Sequence, residues 1–196
     1  MKTLDRKKLL QEIGEKGVEI ENINDLMRID KRHKDLVPIL VKHLREIDDE
    51  SDKEFLVRCL GVKGFTQASR PLIQEFYDAS KPSYKWAIGN TLSMIQDREV
   101  VTDLVKIVQE KKHGTARRMI VSGLGIYRTE ESVKKVLIEL LNDDDVFGHA
   151  LSAMAKMGDE KLRRYIEPFT NHETTWVRNK AKKAIEKFAK QANTKS

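Results

Sequence analysis

The chain has 196 residues, 39% of them hydrophobic and 35% charged, and it carries a formal net charge of +6. Ten glycines and four prolines are too few for a loop-rich or all-β protein, and a single cysteine excludes an internal disulfide framework. No apolar run approaches the ~20 residues of a membrane span and no secretory signal is recognisable, so we expect a cytoplasmic protein.

The charge is unevenly distributed along the chain. Acidic and basic residues balance through residues 1–150, and the excess of positive charge lies within residues 151–196. A near-neutral body favours contact with another protein, whereas a basic end is compatible with binding of nucleic acid.

Two columns of apolar residues repeat along the chain with a period of about 32 residues. The anchors of one column are Leu60, Leu92, Leu124, Met154 and Ile185. The other column runs ahead of it and consists of Leu40, Leu72, Leu104, Val136 and Ile166. Two columns that share one period predict two helices in each unit and a stacked array of units.

In chain order, the pattern predicts N-terminal capping helices over residues 1–33, a repeat array over 34–191 and a frayed tail over 192–196. The repeats fall at about 34–66, 67–98, 99–129, 130–158 and 159–191. Apolar spacing predicts helices near 4–14, 22–29, 34–46, 51–62, 68–79, 82–96, 99–111, 115–127, 130–142, 145–157, 159–169 and 173–191.

Local signals mark helix ends and helix contacts. Ser51 and Glu54 have the spacing of a capping box, Pro82 suits the first turn of a helix, and Gly158 suits a C-terminal stop. The residues on either side of the anchors are mostly small: Cys59, Thr91, Gly123, Ala153 and Ala184 before them, and Gly61, Ser93, Gly125 and Ala155 after them. This small-residue column predicts a close approach of neighbouring second helices.

Residues 143–159 combine an acidic turn, a valine, alanine and leucine at helical spacing and a closing Gly-Asp, and residues 176–185 repeat the pattern. They resemble the HEAT repeat, particularly the shorter bacterial kind of phycobilin-lyase-like proteins, over about residues 34–190. The resemblance implies an all-α, right-handed solenoid of about five helical pairs, in which the second helices line a concave groove. It also implies that a basic residue seven before each anchor bonds an acidic turn of an adjacent repeat. Here that column reads Lys53, Lys85, Arg117, Phe147 and Arg178, so Phe147 interrupts it.

Recognisable catalytic and metal-binding patterns do not occur in the sequence. The histidines and Cys59 form no metal-ligand spacing, and residues 143–154 fail as a calcium loop because Phe147 and Met154 stand where ligands are needed. We therefore expect no metal, no cofactor and no enzymatic activity, with Cys59 as a buried and inert thiol.

The outward face of the second helices is the best candidate for a binding site. Trp86 lies among cations, an arrangement that suits an acidic peptide or a phosphate backbone. The alternative is that Trp86 fills a gap between repeats while the cations pair with acidic turns. The predicted partner-binding groove consists of Lys53, Arg58, Lys85, Trp86, Asn90, Arg117, Arg118, Ser122, Arg178 and Lys183.

The function that these observations favour is a monomeric, non-catalytic protein-binding module or scaffold, with an acidic surface or peptide as its partner. One alternative is an accessory or immunity-type subunit that binds and regulates an enzyme. Another is nucleic-acid binding through groove residues and through a lysine stripe near the C-terminus, composed of Lys180, Lys183, Lys187 and Lys190.

A narrower version of the nucleic-acid alternative comes from a second resemblance. Trp86, Arg117 and Arg118 loosely resemble positions of the HEAT-like alkylation-repair DNA glycosylases. That family's pattern places an acidic residue one turn after the tryptophan, where this chain has Asn90. The departure argues against glycosylase activity.

Overall fold

The computed structural model describes residues 2–193, with side chains through residue 189, and in this part of the chain every regular element is helical. The α-helices are α1 (Arg6–Gly14), α2 (Val37–Glu46), α3 (Glu50–Cys59), α4 (Ser69–Asp78), α5 (Pro82–Ile95), α6 (Val101–Gln109), α7 (Arg118–Leu124), α8 (Glu131–Glu139), α9 (Phe147–Met157), α10 (Arg163–Ile166) and α11 (Thr175–Asn193). Short 3₁₀ segments precede or extend several of them. The prediction of an all-α fold is confirmed.

The helices after α1 alternate between first and second members of a pair, and the chain divides into two compact units, residues 1–100 and 101–196. In the first unit, α3 packs on α5, α4 packs on α5, and α2 contacts the 3₁₀ turn that leads into α4. In the second unit, α6 packs on α8, and α9 packs on both α7 and α11. Within each unit, first helices therefore meet first helices and second helices meet second helices, as in a solenoid.

The anchor columns of the sequence form the core of both units. Leu60, Leu92, Leu124 and Met154 are buried, and so are the first-helix positions, Leu40, Leu72, Leu104, Val136 and Ile166. At the N-terminus, α1 packs against α2 and buries Leu9 and Ile13. Of the predicted frayed tail, residues 192–193 belong to α11, and the rest lies outside the described part of the chain, as does the side chain of Lys190.

Several predicted helices are interrupted in the structure. The segment predicted as a helix near 22–29 is the 3₁₀ helix Ile23–Arg28, and the one predicted near 34–46 starts as the 3₁₀ helix Lys31–Leu36. Near 115–127, residues 115–117 are the end of the 3₁₀ helix Lys111–Arg117, which is kinked at Gly114 (φ +51°), and the α-helix runs from Arg118 to Leu124. Near 159–169, the chain forms three short helices, and Pro168 lies in the first turn of the last one. Proline removes a backbone donor and so disfavours a continuous helix.

The predicted helix ends are partly confirmed. Pro82 lies in the first turn of α5, and Gly158 ends α9 in the left-handed conformation at φ +68°. The capping box at Ser51 is wrong by two residues. The cap of α3 is Asp49, whose carboxylate accepts a hydrogen bond from the Asp52 amide at 2.9 Å, while Glu54 binds Arg58 instead.

The small-residue column brings neighbouring second helices into close contact. Gly125, at the end of α7, faces the backbone of α9, and a Cβ atom at position 125 would lie 2.7 Å from the Ala153 carbonyl oxygen. In the first unit, the hydroxyl of buried Thr91 donates a hydrogen bond to the Val57 carbonyl at 3.0 Å. Both contacts require a short side chain between the two helices.

No helix in the described residues is long and apolar enough to cross a membrane.

Replacing Gly125 with alanine should destabilise the protein by about 1–3 kcal/mol, because the added methyl group collides with backbone rather than with a movable side chain. The matched control is Gly14→Ala at the end of α1, where nothing lies within 4 Å of the added atom and a gain of about 0.4–1 kcal/mol is expected. Urea unfolding followed by far-UV circular dichroism measures both. Equal stability of the two variants would contradict the close approach of α7 and α9.

Candidate partner-binding surfaces

Lys53, the first member of the predicted basic column, holds two repeats together. Its ammonium lies 2.6 Å from the Glu75 carboxylate on α4, and the Tyr84 hydroxyl donates to the same oxygen at 3.1 Å. Burial and the nearby Glu75 charge raise the pKa of Tyr84. Lys53 is therefore engaged within the protein rather than displayed to a partner.

Arg117 is the most deeply buried of the predicted site residues. Its side chain is 0% exposed, and its guanidinium donates to Asp143 at 3.0 and 3.3 Å, to the Val108 carbonyl at 2.8 Å and to the Gly114 carbonyl at 2.9 Å. The prediction that Arg117 lines an accessible groove is wrong. Its charge is satisfied by the acidic turn that precedes α9, as the HEAT resemblance implied.

Truncation of Arg117 should strongly destabilise the second unit. Arg117→Ala leaves the Asp143 carboxylate largely buried without its partner, and removal of one member of a buried pair costs about 3–5 kcal/mol. Arg117→Lys should recover only part of the loss, because an ammonium cannot reproduce the two parallel bonds. Arg128→Ala, at an exposed arginine bonded to one carbonyl, is the control and should stay within about 0.5 kcal/mol of wild type. Chemical denaturation measures all three, and a loss below about 1 kcal/mol for Arg117→Ala would contradict the assigned role.

Other cations of the predicted site also contact their own chain. Arg178 donates to the His172 and Glu173 carbonyls at 2.6 and 3.0 Å. Arg118 is half-buried and donates to the Asp145 carbonyl at 2.8 Å, and the Lys85 ammonium lies 5.1 Å from the centre of the Phe76 ring. The alternative that the cations pair with acidic turns fits Arg117, whereas Lys85 and Arg178 contact groups of their own repeats.

In the first unit, two large apolar side chains of α5, Trp86 and Met94, are exposed. Trp86, Asn90 and Met94 follow one another along α5 at intervals of four residues, and Trp86 is 38% exposed. Arg58 on the adjacent α3 is paired with Glu54 at 2.6 Å, so its charge is balanced within its own helix. We refer to Trp86, Asn90 and Met94 as the α5 strip.

In the second unit, α9 and α11 line an open recess of about 630 Å³ that only partly overlaps the predicted groove. Trp176, on the first turn of α11, is 52% exposed. We call this site the basic recess and define it by its lining residues, which are Ala155, Lys156, Trp176, Asn179, Lys180, Lys183, Ala184 and Lys187. Lys183 is the one residue of the predicted groove that lines it.

The four lysines of the basic recess are exposed, and no described carboxylate lies within ion-pair distance of them. Lys180 donates to the Ser152 hydroxyl, and Lys187 donates to the Ala155 carbonyl at 3.2 Å. Neutral acceptors hold these two ammonium groups without cancelling their charge. The recess therefore has a net positive charge beside an open aromatic surface.

Trp176 is held in place by an aromatic cluster on its inner side. Its ring centre lies 6.1 Å from that of Phe147, and Phe147 also stacks against Phe169 and His172. A Cβ atom at position 148 would collide with the Trp176 ring, so Gly148 is what permits the indole to lie against α9. Phe147, the break in the basic column, thus supports the wall of the recess.

The pKa of the half-buried His149 is affected by the cations of this surface. Burial lowers the pKa of its imidazole, and the nearby charges of Arg118 and Lys180 lower it further. Cations disfavour the protonated ring by repulsion. At neutral pH the ring is therefore uncharged.

Replacing Lys180 with glutamine should raise the pKa of His149, because one of the two repelling charges is removed. The pKa should remain below its ordinary value, since burial is the larger cause and does not change. Proton NMR titration of the imidazole ring measures the shift. Lys182→Gln, at an exposed lysine of the same helix outside the recess, is the control and should leave the pKa unchanged.

Trp176 and Lys156 were not among the predicted site residues. The lysine stripe on the last helix was recognised, but its proximity to an exposed tryptophan depends on a glycine in a different helix. Ser122, another predicted site residue, is half-buried on α7. Among the described side chains, no three histidine, cysteine, aspartate or glutamate residues converge as metal ligands.

Three comparisons place this geometry among known proteins. No protein-family model and no curated protein sequence matches the chain. Among solved structures, a computationally designed armadillo repeat protein for modular peptide recognition has a TM-score of 0.54 at 16% identity, covering 92% of this chain and 98% of that one. A designed armadillo repeat protein in complex with the peptide (KR)4 has a TM-score of 0.55 at 16% identity, covering 94% of each chain.

A third designed armadillo repeat protein has a TM-score of 0.52 at 14% identity, covering 92% of this chain and 99% of that one. The protein is an α-solenoid of the helical-repeat class. At such low identity these likenesses establish the fold alone.

Proposed function

We propose that the protein is a non-catalytic scaffold that binds a segment of another protein on the exposed face of its second helices. The observation that carries the proposal is that Trp86 on α5 in the first unit and Trp176 on α11 in the second unit are each substantially exposed on a second helix. Large aromatic side chains dominate the energetics of protein interfaces, and their exposure on a free protein commonly marks such a site.

The fold supports a protein or peptide as the partner. One designed neighbour was made for modular peptide recognition and another is in complex with the peptide (KR)4. Stacked helical repeats offer extended binding surfaces, because each repeat adds similar positions to the same face. By analogy, we assign the binding surface to the α5 strip in the first unit and to the basic recess in the second, with Arg58, Arg118 and Ser122 at their margins.

We further propose that the repeats are of the HEAT type. Each repeat has two principal helices, and HEAT repeats have two whereas armadillo repeats have three. The bond between Arg117 and the acidic turn before α9 supports the same assignment, since the HEAT resemblance implies such a contact.

A binding role fits the state of the reactive groups. Burial raises the pKa of the Cys59 thiol to about 12, so this cysteine is not available as a thiolate nucleophile near neutral pH. The glycosylase alternative is weakened further, because Arg117 is bonded to Asp143 inside the protein and is not available to a substrate. Binding therefore explains the exposed groups better than catalysis does.

Selection from a random peptide library displayed on phage tests the proposal. Wild-type protein should enrich families of related peptides, and each family should bind at least tenfold more weakly, about 1.4 kcal/mol, to Trp86→Ala or to Trp176→Ala. Tyr165→Ala, on the first helix α10 of the last pair, is the matched aromatic control and should bind like wild type. Absence of any enriched family, or undiminished binding by both tryptophan variants, would contradict the proposal.

A further inference from the structure

The four lysines of the basic recess differ from the cations that join repeats. Lys53 is paired with Glu75 and Lys134 with Asp159, so a partner's carboxylate would have to compete with those of the chain itself. In the recess, Lys180 and Lys187 contact neutral oxygens. An incoming carboxylate can approach these lysines without breaking an internal ion pair. The free energy gained from the new ion pair is therefore not offset by the loss of an existing one.

The aromatic wall of the recess is the indole of Trp176, which is held in position before a ligand binds. The Trp176 indole packs on Gly148 and Phe147 with one side and leaves the other open. Because the ring is already fixed, little side-chain entropy is lost when a ligand covers it. Ala155 and Ala184 line the site with small side chains and leave room for an apolar group against the indole.

We propose that the basic recess anchors an acidic segment of the partner protein, with its carboxylates at Lys156, Lys183 and Lys187 and an apolar side chain on Trp176. This inference rests on the proposed function, from which it takes the class of partner. It adds the sign of the partner's charge and the place of contact. The designed neighbour in complex with (KR)4 has a ligand of the opposite charge, so the common fold does not dictate the preference.

The size and composition of the recess favour a short acidic peptide over nucleic acid. A volume of about 630 Å³ lies in the range of pockets that hold a compact ligand, ~300–1,000 Å³. The cations of the recess are all lysines, and it has no guanidinium to grip a phosphate at two points. Residues 1–150 have balanced charge, so the excess of basic residues is confined to residues 151–196.

Fluorescence anisotropy with three labelled probes at low salt tests the inference: the acidic octapeptide (DE)4, the basic octapeptide (KR)4 and the single-stranded oligonucleotide dT8. Wild-type protein should bind (DE)4, with weaker binding of dT8 and none of (KR)4. Raising the salt concentration should weaken the binding of (DE)4, since exposed charges are screened.

A pair of charge-reversal variants locates the site. Lys183→Glu, Lys187→Glu should weaken the binding of (DE)4 at least tenfold, whereas Lys135→Glu, Lys182→Glu should change it less than threefold. All four lysines are exposed in the same unit, so both double variants alter the net charge equally and should keep the fold. Circular dichroism and melting curves check that both double variants keep the wild-type fold.

A spectroscopic readout reports on the aromatic wall directly. In a Trp86→Phe background, Trp176 is the only tryptophan, and saturating amounts of an acidic peptide with a central phenylalanine should shift its emission. That peptide should also bind more tightly than (DE)4, and Trp176→Ala should remove the difference.

Each remaining outcome overturns the inference. Equal losses in the two double variants would mean that only net charge attracts the peptide. Tighter binding of dT8 than of (DE)4 would assign the recess to nucleic acid. If wild-type protein binds no acidic peptide while the phage-selected peptides still depend on Trp86, the recess assignment fails and the proposed function stands.

Discussion

The buried guanidinium of Arg117 joins the repeat at 99–129 to the repeat at 130–158 and fixes their register. Its donors reach the end of α6, the turn before α7 and the acidic turn before α9. A solenoid lacks contacts between distant parts of the chain, so each repeat must be positioned by its neighbours. Apolar surfaces alone tolerate sliding, whereas two parallel charge-assisted bonds permit one orientation. The small residues of α7 and α9 can then pack backbone to backbone.

The cations of this protein fall into two groups with different physical roles. Lys53 and Arg117 form ion pairs with carboxylates of the following repeat. The lysines of the basic recess have no such carboxylate, although they occupy the same kind of helix. Four lysines without a described carboxylate partner therefore lie together in the second unit, beside the exposed Trp176. Net charge alone would suggest a diffuse basic tail, but the structure places part of that charge around a defined concavity.

The sequence predicted the helices well because stacking imposes the same packing requirement once per repeat. It failed where one residue decides a backbone conformation, as at Pro168, because the apolar spacing carries no information on a missing backbone donor. The site was harder to predict. Helical spacing indicates which side of a helix a residue occupies, but not whether a carboxylate of the next repeat lies within ion-pair distance of it. Arg117 and Lys183 both lie on second-helix segments, yet the first is buried by Asp143 and the second is open to solvent.

The contact of Trp176 with Gly148 ties together two positions that lie in different repeats. A side chain at 148 and an indole at 176 cannot occupy the same space, so neither position is free to change alone. Among related sequences, the two should therefore vary together, with larger residues at 148 accompanied by smaller ones at 176. Covariation of this pair would show which relatives keep Trp176 against α9. In relatives without a glycine at position 148, the recess would have a different shape.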